Sequence, residues 1–425
     1  MNLLHNMEFV LNDHYEYAFS TVPEKRRKPA GELMAILAGV AFSTSGASLG
    51  MRAGLSMPFG RAVFVCVAGN LLLGALACFW GMLGYRSGRS SVSLVRQMFG
   101  IQTAAVFAVF VTLAASVWIG MSGNMLARLL IAGFSQWRLP AAVTTQLAVC
   151  LCVVSTADGW RSMRRMNLWV LPALVILTVY LILQIVEENG GVGFLSFFQP
   201  NRSLGVAAAI SMIMGNYALS ATTMPDICRF AKNRRSVLLG VGIYILVLTV
   251  SDVCGILIVQ ATGAEEISYG MFCFGAAGLN FIWMVLCIYS TQNVNLYVGG
   301  LAIQNLVRGT WMEGNISHKT AMLFLGGLSS VLGVMNLFRY LAGMAQFILL
   351  CTAPLAGIGG AEVVLRNREK RCGGWTAPAV WVLGIVTGVL VGNMAGPGLW
   401  LVPMAQSALL YGILRGKNRK KGIAI

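Results

Sequence analysis

The densest chemistry in the chain lies in ten consecutive residues, Ile288-Tyr289-Ser290-Thr291-Gln292-Asn293-Val294-Asn295-Leu296-Tyr297, set in an otherwise apolar stretch. The hydroxyls of Ser290 and Thr291, joined by carbonyls from an unwound helix, would make an oxygen cage. Oxygen ligands without a full set of carboxylates suit a weakly held monovalent cation. Gln292 and Asn293 each offer a donor and an acceptor, which matches the edge of an amide-containing heterocycle. The same run also reads as interhelical hydrogen bonding, at about 0.6 kcal/mol per bond.

Two further stretches could supply the unwound backbone. Ala41-Phe42-Ser43-Thr44-Ser45-Gly46-Ala47-Ser48 puts small and polar residues in the middle of an apolar run. Met214-Gly215-Asn216-Tyr217 is followed by Ser220-Ala221-Thr222-Thr223-Met224-Pro225. Ser and Thr bond back to carbonyls, Gly loosens a helix and Pro breaks one. Unwound backbone in a bilayer is tolerated only where it lines a cavity or is buried in protein. Packing by small residues is the plainer reading of either stretch alone. Trp118, in Ala114-Ala115-Ser116-Val117-Trp118-Ile119-Gly120, is one indole among small residues. A flat ligand could stack there, with Tyr217 as the opposing wall. Asp252 is the one acid well inside an apolar run. It is a candidate proton relay or cation ligand, or a protonated group hydrogen-bonded to Ser251 or another neighbour. Asp226 and Arg229 read as a lock on the cytoplasmic side or as a surface pair, and Glu362 lies near the cytoplasmic end of its run.

The elements that must position these groups are membrane helices. Of 425 residues, 57% are hydrophobic and 11% charged, and mean hydropathy is +0.73. A soluble domain carries about 25% charged residues. The balance excludes an ordinary soluble enzyme, a disordered chain and a secreted disulfide scaffold. Runs of about 20 apolar residues, enough to span a bilayer, occur at 32–54, 61–84, 101–132, 139–157, 167–187, 203–223, 238–260, 272–305, 320–336, 339–365, 376–394 and 398–415. The fold class is therefore an all-α polytopic membrane protein with twelve transmembrane helices.

The net charge of +16 does not indicate a nucleic-acid partner, because the charges fall in short clusters between spans. With the N-terminus inside, 25 of the 31 Lys and Arg fall on the inner side. By the positive-inside rule both termini are cytoplasmic in a cell (inner or plasma) membrane. Residues 1–31 form a cytoplasmic tail without the pattern of a signal peptide, and 416–425 a basic one. Most of the ten cysteines lie inside spans without zinc spacing. His5, His14 and His318 lie outside the spans, and no HExxH or phosphate loop occurs. No enzyme and no resident cofactor is expected.

The broken stretches fall in the first and sixth spans, the leading members of two successive groups of five. Odd spacing gives the groups opposite orientation. Broken helices at matching places in inverted halves point to a secondary transporter's central site. The halves are 32–187 and 203–336 with part of 339–365, and 376–415 adds two extra helices. Oligomeric state is left open.

In order and spacing, several segments resemble the nucleobase–cation symporter family, within it the cytosine permease branch. They are Tyr17-Ala18-Phe19-Ser20-Thr21-Val22-Pro23, Gly39-Val40-Ala41-Phe42-Ser43, Gly69-Asn70-Leu71-Leu72-Leu73-Gly74, Trp118, Pro225-Asp226-Ile227-Cys228-Arg229-Phe230, Asn295-Leu296-Tyr297 and Pro354-Leu355-Ala356-Gly357-Ile358. The resemblance implies an inverted five-plus-five (LeuT-like) helix repeat, alternating access and import of a heterocycle. It also implies Na+ as the coupling ion, held by the carbonyls of Gly39, Phe42 and Cys287 and the hydroxyls of Ser290 and Thr291. The base would lie against Trp118 and Tyr217, with hydrogen bonds from Asn216, Gln292 and Asn293. Departures concentrate on the base readers. Ala115 stands where the branch has Gln, Ser290-Thr291-Gln292-Asn293 replaces Thr-Thr-Asn-Asp, and Tyr217 and Leu219 replace aromatic and hydroxyl positions. Ala115 would enlarge the pocket, which widens the expected substrates to cytosine, a purine, a hydroxymethylpyrimidine or a hydantoin-like ring. Proton coupling through Asp252 is the alternative.

Overall fold

The computed structural model describes residues 16–134, 136–156, 159–365, 374–395 and 399–420. The basic cluster at 366–371 and the outer parts of both terminal tails lie outside the described residues. Short turns apart, the helices in chain order are α1 Ala30–Ala41, α2 Thr44–Ser56, α3 Phe59–Ser87, α4 Ser91–Phe99, α5 Ile101–Gly133, α6 Ala141–Thr156, α7 Trp160–Glu188, α8 Val206–Asn216, α9 Ala218–Thr222, α10 Pro225–Cys228, α11 Arg234–Thr262, α12 Ile267–Phe272, α13 Ala277–Leu306, α14 His318–Val334, α15 Leu341–Leu365, α16 Thr376–Ala395 and α17 Leu401–Lys420.

Helix occupies each of the twelve apolar segments. Among the described residues, five helices could cross a membrane by length and composition alone, or six if the bent pair α1–α2 is one span. The shortfall has local causes. The sixth segment is split into α8 and α9, the polar run of α13 lowers its hydropathy, α6 and α14 have only 16 and 17 residues, α16 counts among the shorter apolar helices, and α17 ends in a basic run. All-helical architecture is what a bilayer demands, since each helix satisfies its own backbone. Large apolar side chains still face outward, such as Ile176 and Leu183 on α7, Leu151 and Val154 on α6 and Phe324 on α14. Facing lipid, they need no protein cover.

Two breaks carry the site. The α1–α2 pair bends by 52°. Phe42 and Ser43 are extended there, and Ser43 Oγ caps α2 by accepting from Gly46 N at 3.1 Å. The second break falls at Tyr217, between α8 and α9. Pro225 does not make it. Proline instead opens α10 at a first-turn position, where its missing N–H costs nothing.

Backbone contact fixes α2 against α11. A Cβ on Gly50 would overlap the Asp252 carbonyl, and one on Gly255 the Ala47 carbonyl. Small residues that let two backbones meet are the usual glue of membrane helices. The described part of the N-terminal segment is packed and does not form a free tail. Arg229, fully buried, donates to the carbonyls of Glu16 (2.8 Å) and Tyr17 (2.9 Å), Ser90 and Asn305 donate to Ala18 O, and Val22 N donates to Gly88 O. Buried carbonyls need donors, and these side chains provide them.

Candidate functional site

Ending α1 at Ala41 leaves its last carbonyls without helical partners. Three hydroxyls from other helices meet them. Tyr217 Oη donates to Val40 O at 3.1 Å, and Ser251 Oγ donates to Ala41 O at 3.1 Å. Thr291 Oγ1 lies 3.3 Å from Val40 O, 3.0 Å from Phe42 O and 2.9 Å from Cys287 O. A hydroxyl has one proton, so it satisfies one of these three carbonyls at a time. The result is a buried cluster of neutral oxygens at the junction of α1, α9 and α13, the donor set suited to a hard monovalent cation. All five expected ion residues lie here or beside it. Phe42, Cys287 and Thr291 share the cluster. Ser290 Oγ donates to Asn167 Oδ1 at 2.6 Å, on α7.

Gly39 is pressed against the same pair. A Cβ there would overlap Asn167 Oδ1 and fall 2.8 Å from Ser290 Oγ. Val40 and Asn167 were missed by sequence reasoning. Val40 acts through its carbonyl, which side-chain chemistry cannot flag. Asn167 at the start of an apolar run was a visible signal.

The four polar residues at 290–293 point in different directions. Successive helical residues turn by 100°. Ser290 reaches Asn167 on α7, Thr291 reaches the α1 carbonyls, and Gln292 Nε2 donates to Ser122 Oγ on α5 at 2.6 Å. Asn293, almost a full turn from Ser290, returns to the α6–α7 side, where its amide meets Thr156 Oγ1 and Met166 Sδ. The amide of Asn293 is engaged with the scaffold, and so is that of Gln292, whose Oε1 also accepts from Asn295 Nδ2 at 3.1 Å. Ala115 is fully buried, its methyl 3.1 Å from where a Cβ on Gly299 would sit at the α5–α13 crossing.

The four remaining expected base-binding residues, Trp118, Asn216, Tyr217 and Gln292, lie on α5, at the second break and on α13. Tyr217 sits on the second break, and Gln292 bonds one turn along α5 from Trp118. Asn216 ends α8, buried, with Oδ1 unpartnered. An unbonded buried amide oxygen is costly, and it is available to a ligand donor.

The acids resolve differently. Asn70 Nδ2 donates to Asp252 Oδ2 at 2.7 Å and to Thr249 Oγ1 at 3.1 Å. Asp252 therefore pairs with α3 and not with Ser251. Asp226 and Arg229 are both fully buried, so they are no surface pair. Ser91 holds the Asp226 carboxylate through N (2.9 Å) and Oγ (2.6 Å), and Arg229 reaches Tyr297 Oη at 3.0 Å. Glu362 is bonded by Tyr411 and Arg415, which ties α15 to α17.

A family model described as "Permease for cytosine/purines, uracil, thiamine, allantoin" matches residues 21–372. The cytosine permease of Escherichia coli strain K12 is 23% identical over 406 residues, 92% of this chain and 91% of that protein. Among solved structures, Mhp1, a nucleobase-cation-symport-1 family transporter in a closed conformation with bromovinylhydantoin bound, superposes with a TM-score of 0.75 at 17% identity. That match covers 94% of this chain and 95% of the other. A Na+-coupled sialic acid symporter, substrate-bound and outward-open, gives a TM-score of 0.69 at 12% identity, covering 96% and 92%.

Proposed function

The chain belongs to the family of permeases for cytosine/purines, uracil, thiamine and allantoin, and from that premise we propose that it imports a nucleobase-like heterocycle by sodium-coupled symport. It is a multi-pass nucleobase transporter. It works by alternating access across twelve spans, with inverted repeats at 32–187 and at 203–336 with part of 339–365. Residues 376–415 are accessory helices and both termini are cytoplasmic.

One observation carries sodium coupling: the carbonyls of Val40, Phe42 and Cys287 converge on the single hydroxyl of Thr291. Carbonyl dipoles brought together repel one another, and a cation reverses the sign of that interaction. Ion binding therefore favours whichever state keeps the α1 break against α13, since only differential affinity shifts an equilibrium. Tyr217 bonds the same Val40 carbonyl, and Asn216 next to it presents its open amide oxygen. Ion and base are thereby coupled through two adjacent residues. Gln292 and Trp118 complete the base site from α13 and α5. The base class stays broad: cytosine, purine, hydroxymethylpyrimidine or hydantoin ring.

The test is thermal stability of the purified protein against a panel of these heterocycles, each in sodium and in choline. A ligand selective for the native state raises the midpoint by mass action. A base that stabilises only in sodium is the expected result. Equal stabilisation in choline refutes sodium coupling. A second reading, proton coupling, is favoured by Asp252, whose buried carboxyl receives only a neutral amide from Asn70 among the described hydrogen bonds.

A further inference from the structure

His318 is a buried titratable group that the ion and base sites leave unused. It opens α14, ahead of the apolar run 320–336, and packs against the C-terminal half of α13. Gln304 Nε2 donates to Ile316 O at 3.4 Å, which turns Gln304 Oε1 to His318 Nδ1 at 3.0 Å. The ring proton therefore sits on Nδ1, and Nε2 carries a bare lone pair. That Nε2 is buried and has no hydrogen-bond partner. Space around the ring is closed. Tyr297 stands edge-on at 5.1 Å, and a Cβ on Gly300 would fall 2.9 Å from Cε1.

The charged group that acts on the ring is the Arg229 guanidinium, whose Nη2 bonds Tyr297 Oη at 3.0 Å. Glu16 and Asp226 stand near Tyr297, and both are engaged: Glu16 Oε1 accepts from Trp160 N, and Asp226 accepts from Ser91 N and Oγ. α5 and α6, which pack on the rest of α14, bring Ile119, Val149, Cys152 and Val153, of which only the Cys152 thiol titrates. Lys319, the next residue, is exposed. A proton added at Nε2 would create an N–H with no acceptor and a second cation beside Arg229. Both are costly in a buried site. Burial first, and the Arg229 charge after it, lower the imidazole from the usual His value of about 6.5 to about 3. Once the packing around Arg229 comes apart, water reaches the ring and the ordinary value returns. Between these two values the open form binds a proton that the closed form refuses, so acid favours opening; above about pH 6.5 both forms are neutral and the preference is gone.

We propose that His318 is a proton-operated release on the cytoplasmic closure: a proton taken up at Nε2 drives the Arg229–Tyr297–His318 cluster apart and favours the inward-open state. This rests on the alternating-access reading above and adds its regulation by cytoplasmic pH. No proton crosses the membrane in this step, which separates it from coupling through Asp252. The proton enters and leaves on one side, and it biases the equilibrium because only one of the two states accepts it.

Cys228 is a built-in reporter, since it precedes Arg229 and is fully buried. In full-length protein its alkylation by N-ethylmaleimide is read by peptide mass spectrometry as a ratio to the exposed Cys273 of the same sample, which cancels the pH dependence of thiol chemistry. The ratio should rise about ten-fold from about pH 7.5 to about pH 5.5, the change in protonation of an ordinary imidazole. His318→Gln, which cannot titrate, should hold the ratio flat. Gln304→Glu keeps the imidazole and gives its proton an acid partner in the closed form, so it should also flatten the rise. The same acid rise in either folded variant overturns the proposal. A flat ratio in the parent, with Cys228 still responding to sodium or a base, overturns the proton release alone. A Cys228 that reacts under none of these conditions overturns the alternating-access reading and the release with it.

Discussion

Replacing Thr291 with Val removes one oxygen and keeps the shape of the side chain. That oxygen lies within 3.3 Å of three carbonyls, Val40, Phe42 and Cys287. Of these, the Cys287 contact is the ordinary back-bond to the preceding turn, so its loss alone is nearly neutral. The cost falls on Val40 O and Phe42 O, which belong to a helix end. Val40 O keeps its bond from Tyr217 at 3.1 Å, so one carbonyl, Phe42 O, loses its described partner. For the ion, a ligand oxygen disappears while the remaining carbonyls stay. A loss of about 1–2 kcal/mol in ion binding follows, or about 5–30-fold in the sodium concentration for half-maximal uptake. The assay is uptake of a labelled base against sodium concentration in proteoliposomes, alongside the sodium-dependent rise in melting midpoint. Thr291→Ser, which keeps the oxygen, should stay close to the parent. Unchanged sodium dependence in a folded Val variant would refute the reasoning, because the converging carbonyls would then be packing and not a site.

Asn293→Ala should behave as a scaffold defect, with a loss of about 1–3 kcal/mol in stability from the abandoned Thr156 and Met166 contacts and base affinity retained in the folded fraction; calorimetry plus binding separates the two. Asp252→Asn preserves shape and the Asn70 contact, and should leave stability within about 1 kcal/mol of the parent, since the amide oxygen still accepts from Asn70 and no buried ionisable group is left to compensate. Uptake by that variant should still follow the sodium gradient. Uptake that ignores sodium and is lost in Asp252→Asn would instead assign the coupling to a proton.

What the sequence disclosed follows from the kind of interaction involved. Apolar runs and charge clusters located helix in all twelve segments, because a bilayer imposes length and polarity on contiguous residues. The first break was legible because Ser43, Thr44, Ser45 and Gly46 announce it in side chains. The second was legible only as the stretch 214–225, since Pro225, more than two turns beyond the break at Tyr217, is the louder signal and yet begins a helix. Directions around α13 were not legible as a block. A polar run reads as one site until the 100° step per residue is applied, and that step separates Asn293 from Gln292. Ala115 shows a different limit. A small residue in a helix can open space or close a crossing, and its type alone does not say which.

The described N-terminal segment and Arg229 carry the mechanism beyond the central cluster. Arg229 sits a short helix beyond the second break, and its four described bonds reach Glu16 O, Tyr17 O, its own turn at Asp226 O, and Tyr297 Oη. Tyr297 lies on α13 six residues beyond Thr291, on the helix that holds the α1 carbonyls. The same helix is therefore fastened to the first break by Thr291 and to the end of the second by Tyr297. A motion that separates α1 from α13 at one point must also pull on a fully buried guanidinium at the other. A buried charge tolerates the loss of its partners poorly, so the Arg229 cluster should break only when something compensates it. On the proposed coupling, release of an ion at Thr291 and opening at Arg229 would be set in one rigid element, so that occupancy of the central site would be felt at the far end of the helices.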